Sequence, residues 1–253
     1  MCRLLGLYGQ ADNWRDIVTA FNQQAETGNI PLEDEVEPGH KDGWGMTLSN
    51  RKQTAMVSLT RQLGSACDSA AYREVLFALP DQPDIFLCHL RKASDNIAVT
   101  LSNTHPFIHN GWAFIHNGTV FQAASLHRNP SLLMTSDDSD TEHLFHYLLT
   151  EINDHCQHKT IPGVIVDAIS SLTVDYTSLN FMLSNGRDLY VARCFNKYSA
   201  YYTLYAYQLA AGIVICSEPI ESEGLDRSHW TLLANNSLLR IHGSPPRIEE
   251  IKI

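Results

Sequence analysis

The residue with the clearest chemical potential is Cys2, which directly follows the initiator methionine in "MCRLLGLYG". If Met1 is removed, Cys2 gains a free α-amino group, whose ordinary pKa is about 7.7–8.0. Such an amine can act as general base for the thiol of its own residue, so no separate catalytic histidine is needed. Alternatively, Cys2 is an inert small hydrophobic residue, which is a common role for a single cysteine. Other residues must decide between these two readings.

Four polar stretches stand where apolar segments end, and loops in that position often carry functional groups. They are "HLRKAS" at 89–94, "NTHPF" at 103–107, "HNGTV" at 116–120 and "SDTE" at 139–142. The side-chain amide of Asn117 and the backbone N–H of Gly118 can together form an oxyanion hole. Arg91 can bind a substrate carboxylate through two hydrogen bonds, and Asp140 can pair with a substrate ammonium group.

Each stretch also has a simpler structural explanation. An arginine at a strand end is usually a surface ion pair, Asn-Gly is usually a turn, and Ser-Asp before a helix is usually a cap. The combination is more specific than its parts. A thiol, an oxyanion hole and groups for both a carboxylate and an ammonium describe a site for an α-amino acid that has an amide carbonyl beyond it.

The composition excludes several other functions. The net charge of the 253 residues is -10, which argues against nucleic acid and anionic lipid as partners. No apolar run approaches the roughly 20 residues needed to cross a bilayer, and the N-terminal apolar stretch is too short for a signal peptide. Without a signal-peptide pattern we expect a cytoplasmic protein, in which the six scattered cysteines are free thiols and form no structural metal site.

Several elements must position these residues. "CRLLGLYG" and "DIFLCHLRKAS" predict strands, and the near-continuous apolar run of the second indicates a buried one. Helices are predicted for "NWRDIVTAFNQQAETG", "SACDSAAYREVLFAL", "SDTEHLFHYLLTEINDH" and "IPGVIVDAISSLTVD". The third begins with a capping box, because Glu142 follows Ser139 by three residues. Further strands are predicted for "WGMTLSN", "QTAMVSLT", "GWAFIHNG", "SLNFMLSN", "DLYVARC", "AYYTLYAY", "GIVICSE" and "HWTLLANNSLLRIH".

Cys2 and the four stretches, in this order, resemble the class-II glutamine amidotransferases of the N-terminal nucleophile (Ntn) hydrolase superfamily. The resemblance runs from Cys2 to about Leu149, and "GHKDGWG" at 39–45 points to its stand-alone branch. It implies an α+β fold, a four-layer αββα sandwich of two mainly antiparallel sheets between helical layers. We expect residues 2–253 to form a single domain of this kind.

The resemblance also implies roles for individual residues. Cys2 is the nucleophile, Asn117 and Gly118 form the oxyanion hole, and no cofactor is required. Three residues bind the substrate: Arg91 holds the α-carboxylate, Ser94 assists it, and Asp140 holds the α-amino group. His105 has a supporting role, and Trp44 is either a wall of the pocket or a core residue. A tryptophan follows the family arginine in the larger amidotransferases, whereas Lys92 stands there in this chain.

The expected reaction is cleavage of the γ-glutamyl amide bond of glutamine or a γ-glutamyl compound through a Cys2 thioester, with release of glutamate. Part of the stand-alone branch hydrolyses γ-glutamyl bonds, and we favour hydrolysis here. One alternative is a glutaminase subunit that passes ammonia to a separate synthase partner. Two further alternatives are a catalytically silent binding or regulatory protein and an acylase that acts on another amide.

Overall fold

A computed structural model describes residues 2–30, 38–50, 53–79, 82–94, 97–136 and 138–253. One sheet has seven strands in the order β11-β9-β10-β1-β4-β2-β3, and its neighbours pair antiparallel. Its strands are β1 (Arg3–Gln10), β2 (Gly43–Asn50), β3 (Gln53–Gln62), β4 (Ile85–Arg91), β9 (Tyr205–Gln208), β10 (Ala211–Cys216) and β11 (Thr231–Leu232). We call it the first sheet.

The second sheet has six strands in the order β13-β12-β8-β7-β6-β5, again with antiparallel neighbours. Its strands are β5 (Phe107–His109), β6 (Trp112–Asn117), β7 (Asn180–Ser184), β8 (Leu189–Arg193), β12 (Ser237–His242) and β13 (Arg247–Lys252). The helices are α1 (Trp14–Asn22), α2 (Gln24–Thr27), α3 (Ala70–Ala78), α4 (Asp140–His155) and α5 (Ile161–Ser170). None of the described helices is long and apolar enough to cross a membrane.

Three apolar cores define the layers of the molecule. The first packs α1 and α3 against the first sheet, where the ring of Trp14 meets Phe86 and the ring of Tyr72 meets Trp44. The second packs α4 and α5 against the second sheet. The third lies between the two sheets and contains residues of β1, β4, β6, β7 and β8. The result is the predicted α+β architecture of two antiparallel sheets between helical layers.

The strand β1 runs through the middle of this arrangement, which explains why the N-terminus is held in place. It pairs with β10 on one side and with β4 on the other, and Leu4 and Leu5 are fully buried. Its first residue, Arg3, lies opposite Leu90 near the end of β4. The register therefore puts Cys2 beside the polar stretch that follows β4.

Most of the predicted elements are confirmed, and the differences have local causes. The predicted strand at 200–207 begins only at Tyr205, because Tyr201 and Tyr202 form a turn whose N–H groups donate to the carbonyl of Tyr198. The stretch at 229–242 divides into β11 and β12. The edge strand β13 was not predicted, since its charged residues break the apolar alternation that identifies a strand. The six cysteines are free thiols, as expected.

Candidate active site

The ends of β1, β4, β6 and α4 converge on one small cavity. Its described lining comprises Cys2, Arg91, Lys92, Ala93, Ser94, Ile97, Asn103, His105, His116, Gly118, Ser139, Asp140 and Thr141. Residues from all four polar stretches of the sequence are present. The cavity volume is about 30 Å³, which holds only one or two water molecules.

Cys2 is held at this cavity by its backbone. Its N–H donates a hydrogen bond of 2.8 Å to Oδ1 of Asn117, and its thiol lies 3.8 Å from the carbonyl oxygen of Lys92. Only 8% of the residue is exposed. Met1 lies outside the described residues. When Met1 is absent, the same nitrogen is a primary amine, which can donate to Asn117 while its lone pair remains able to accept a proton.

The two polar atoms of the Asn117 side-chain amide differ in their contacts: the oxygen accepts a hydrogen bond from Cys2, and the nitrogen has no partner among the described residues. Because the Cys2 N–H is a donor, it fixes the oxygen of the amide toward Cys2. The Nδ2 group is buried and has no hydrogen-bond partner in the part of the chain that the structure describes. A buried donor without a partner is costly, and the Nδ2 group belongs to the side chain that contacts Cys2, so it is available to a negatively charged oxygen there.

Gly118 sits where no other residue fits. A Cβ atom built on it would lie 1.9 Å from the carbonyl oxygen of Ser178, which is backbone and cannot rotate away. Ser178 also accepts from Nε2 of His116, at 3.0 Å. The end of β6 is therefore pressed against the segment before β7, and this contact fixes the direction of the Gly118 backbone.

Arg91 ends β4 and is 97% buried, since 3% of it is exposed. Its Nη2 donates to the carbonyl of Ala98 at 3.0 Å, whereas its Nη1 has no partner among the described residues. One side of the guanidinium is thus anchored and the other is available to an anion. Ser94 is half-buried and lines the same cavity.

Asp140 is the first residue of α4, and its carboxylate is partly used by the backbone. Oδ2 accepts from the N–H of Val120 at 2.8 Å, and Oδ1 accepts from the N–H of Thr141 at 2.8 Å. A carboxylate has about four acceptor positions, so it can still accept from a ligand. The bond to Val120 ties the start of α4 to the loop after Gly118.

The start of α4 confirms half of the predicted capping box. The Ser139 hydroxyl accepts from the N–H of Glu142. The Glu142 carboxylate instead accepts from the N–H groups of Thr135 and Ser136 and from the Thr135 hydroxyl, each at 2.8 Å. Glu142 therefore holds the loop before the helix rather than its N-cap.

Three buried histidines lie at the cavity: His105 and His116 line it, and His89 packs against His105. His105 faces His89 with ring centroids 4.1 Å apart, and its Nδ1 accepts from the backbone N–H of His116 at 3.4 Å. His116 itself donates from Nε2 to Ser178, which leaves its Nδ1 to accept from the Thr141 hydroxyl. Burial lowers the pKa of all three imidazoles, and for His116 the nearby Asp140 carboxylate opposes that effect. They are neutral near pH 7.

The structure places Trp44 away from the cavity. It is fully buried in the core between the first sheet and the helices, where its ring makes an edge contact with Tyr72 at 5.0 Å. The prediction that Trp44 forms a wall of the pocket is therefore not supported, and the core alternative is the one observed. Side chains alternate between the faces of a strand, and Trp44 points to the helical face of β2.

Sequence reasoning missed two residues that contact Cys2. Arg3 donates from Nη1 to the Cys2 carbonyl at 3.2 Å, and the Tyr201 hydroxyl reaches the same oxygen at 3.5 Å. The signal for Arg3 was a charged residue at the start of an apolar, buried strand. Tyr201 gave no comparable signal, because it lies 199 residues away in the chain.

A larger cavity of about 530 Å³ lies at the opposite end of β1. Among its lining groups, the Tyr8 hydroxyl donates to the carbonyl oxygens of Arg187 and Gly243, and Asp188 pairs with Arg240. These groups are occupied within the protein, and the described lining contains no cysteine or histidine. Size alone therefore does not identify the site, and the small cavity at Cys2 is the one that brings a cysteine, histidines, Arg91 and Asp140 together.

Comparison with known proteins agrees with this geometry. A family model described as class-II glutamine amidotransferases matches residues 1–206. The chain is similar to a glutamine aminotransferase class-II domain protein from Silicibacter pomeroyi, with 22% identity, a TM-score of 0.65, and coverage of 100% of this chain and 99% of that one.

A second similar structure is the glutamine phosphoribosylpyrophosphate amidotransferase from B. subtilis. It has 17% identity and a TM-score of 0.64, and the match covers 99% of this chain and 49% of that one. At these identities the two structures establish the fold, and they confirm the expected Ntn-type αββα sandwich. A search among curated proteins found no match.

Proposed function

Since the chain belongs to the class-II glutamine amidotransferases, we propose that it is an N-terminal cysteine amidohydrolase. It cleaves the γ-glutamyl amide bond of glutamine or a γ-glutamyl compound and releases glutamate. One observation carries the proposal. The Cys2 nitrogen lies 2.8 Å from the oxygen of a buried amide, the Asn117 side chain, whose own donor nitrogen has no described partner.

The reaction follows from these positions. The α-amine of the trimmed chain takes the proton of the Cys2 thiol, and the thiolate attacks the γ-carbonyl carbon. The carbonyl oxygen becomes an oxyanion that accepts from Nδ2 of Asn117 and from the N–H of Gly118. The α-ammonium group then gives its proton to the departing nitrogen, and the C–N bond breaks. Water hydrolyses the resulting thioester, which frees glutamate and restores the thiol.

The rest of the cavity provides the substrate clamp. The unpartnered Nη1 of Arg91 is suited to the α-carboxylate, with Ser94 beside it, and the Asp140 carboxylate retains acceptor capacity for the α-ammonium group. His105 lines the cavity as a neutral imidazole, because burial and the neighbouring His89 lower its pKa. It supports the site as a hydrogen-bonding group rather than as a charge.

One feature favours hydrolysis over transfer of ammonia to a partner: Lys92 replaces the tryptophan that follows the family arginine in the larger amidotransferases. The strands after Thr150 complete both sheets, so that part of the described chain builds the same sandwich and not a synthase fold. A glutaminase subunit that passes ammonia to a separate synthase remains the second candidate, and it would show glutamine turnover only when that partner is present.

The deciding experiment measures glutamate release from glutamine, glutathione and other γ-glutamyl peptides. We expect the native chain to hydrolyse at least one of them, and Cys2→Ala to release none. Cys156→Ala is a matched control, because Cys156 is an exposed thiol at the end of α4. It should keep native turnover. A Cys2→Ala variant with native turnover would contradict the mechanism.

Two measurements separate the remaining alternatives. Intact mass shows whether Met1 is removed, and a mature chain that retains Met1 would favour a silent binding or regulatory protein. Covalent labelling of Cys2 by a glutamine-mimicking diazoketone is expected for the γ-glutamyl site. An acylase for a simple acyl group has no use for Arg91 and Asp140, so it would leave Cys2 unlabelled by that reagent.

A further inference from the structure

The side chain directly after the nucleophile is a fully buried arginine. Arg3 has no exposed surface, and its Nη1 donates to the Cys2 carbonyl at 3.2 Å. Its Nη2 donates to the Asn29 carbonyl and pairs with the Glu218 carboxylate. Its guanidinium also stacks 4.5 Å from the centre of the Tyr201 ring. A buried cation is tolerated only with such partners.

These contacts fix the backbone of Cys2 from two directions. The Cys2 carbonyl accepts from Arg3 and, at 3.5 Å, from the Tyr201 hydroxyl. The nitrogen of the same residue is held at 2.8 Å by Asn117, which belongs to the other sheet. With both ends of the residue restrained, the thiol keeps little freedom beyond rotation about its own side-chain bond.

Glu218 extends the restraint to the segment after α2. Its Oε1 pairs with Arg3 and also accepts from the N–H of Asn29 at 2.9 Å. Asn29 is therefore held at its carbonyl by Arg3 and at its nitrogen by Glu218. The Arg3 guanidinium thus joins three parts of the chain, and one of them is the nucleophile itself.

We propose that Arg3 is a positioning residue for the reaction of Cys2. By holding the Cys2 carbonyl, it directs the α-amine and the thiol toward the cavity and the Asn117 amide. The inference rests on the proposed function, since it concerns the geometry of the same thiol. Misplacing a reacting group by about 1 Å can reduce a rate on the order of 100-fold, so loss of this contact should slow the chemical step.

A buried arginine could also serve stability alone, and Arg193 provides a matched control for that role. Arg193 is 5% exposed and ends β8. Its Nε and Nη1 donate to the carbonyls of Tyr202 and Leu233, and its guanidinium lies 4.7 Å from the Phe195 ring. It resembles Arg3 in burial and in its contacts, but Cys2 is not among its partners in the described part of the chain.

The test compares Arg3→Lys with Arg193→Lys in the full chain. Lysine keeps the charge and loses the planar fork that makes several directed bonds. For Arg3→Lys we expect kcat for glutamate release to fall on the order of 10- to 100-fold with KM within about twofold. The rate at which iodoacetamide labels Cys2, followed by peptide mass, should fall as well. Arg193→Lys should lower the thermal unfolding midpoint and keep both rates.

The outcomes distinguish this inference from the proposed function. The positioning role is overturned if Arg3→Lys has the same kcat and the same Cys2 labelling rate as Arg193→Lys. If Arg3→Lys does not fold, Glu218→Gln replaces it, because that variant weakens the hold on Arg3 and should lower kcat at constant KM. If the native chain releases no glutamate from any substrate, the proposed function fails. The Cys2 labelling rate then decides the positioning role by itself.

Discussion

At the scale of single residues, the Asn117 side chain serves two partners with two different atoms. Its oxygen accepts from the Cys2 nitrogen, and its buried nitrogen has no described partner. These two tasks can be separated by a substitution that keeps the acceptor and removes the donor. Aspartate does so, because its carboxylate has the same shape and accepts on both oxygens.

We therefore predict that Asn117→Asp lowers kcat for glutamate release by about 100- to 1000-fold, the usual cost of losing an oxyanion donor. A carboxylate would also repel the oxyanion, so the loss should not be smaller. Steady-state kinetics with the best γ-glutamyl substrate provides the measurement. Asn129→Asp, in which an exposed amide oxygen accepts from Ser131, is the control and should keep native kcat. Unchanged turnover in Asn117→Asp would exclude donation by Nδ2.

At the scale of elements, the active site depends on how closely the end of β6 approaches the segment before β7. Gly118 is needed because a Cβ atom there would lie 1.9 Å from the Ser178 carbonyl oxygen. We predict that Gly118→Ala displaces the end of β6 and reduces kcat by at least about 100-fold, since the Gly118 N–H no longer faces the oxyanion.

The control for this prediction is Gly163→Ala in the first turn of α5. There the added Cβ atom would lie 3.0 Å from the flexible side chain of Lys159, and alanine favours the helix. We expect native activity and an unchanged or higher thermal midpoint. If Gly118→Ala kept native kcat while only its thermal midpoint fell, the backbone of Gly118 would have no part in the chemistry.

The elements also show which parts of the fold the sequence can predict. Continuous apolar runs and a helical spacing identified β1, β4 and α4, because burial on both faces of a strand or on one face of a helix leaves a clear pattern. The edge strand β13 has no such pattern, since its exposed charges protect an unpaired edge. The face to which Trp44 points could not be predicted, because it depends on the register of β2 with its neighbouring strands.

The candidate site was predictable where its residues formed local motifs. Cys2 lies at the terminus, Asn117 begins an Asn-Gly pair, and Asp140 follows the N-cap Ser139, so each could be identified from a local pattern. The structure brings residues from all of these stretches to one cavity. Arg3 was not found, because its role depends on Asn29 and Glu218, and Glu218 lies 215 positions from it in the chain. Contacts that depend on tertiary packing leave no spacing in the sequence.

At the scale of the whole molecule, the fold buries several imidazoles. His40, His89, His105, His116 and His146 are all buried, and burial lowers the pKa of each of them, that of His146 to about 4. An unfolded chain takes up protons on these side chains near the ordinary pKa of about 6.5. As the pH falls below that value, the unfolded state binds more protons than the folded state, so stability must decrease.

We predict that the free energy of unfolding is highest above about pH 6.5 and falls steadily toward about pH 4, with each of these histidines adding up to about 1.4 kcal/mol per pH unit. Urea unfolding followed by tryptophan fluorescence at several pH values measures the slope. His146→Gln should reduce the slope, because the buried group no longer titrates in the unfolded chain. His155→Gln, which replaces an imidazole whose side chain is 60% exposed, is the comparison variant. A His146→Gln variant with the native slope would show that burial of this imidazole does not couple folding to protonation.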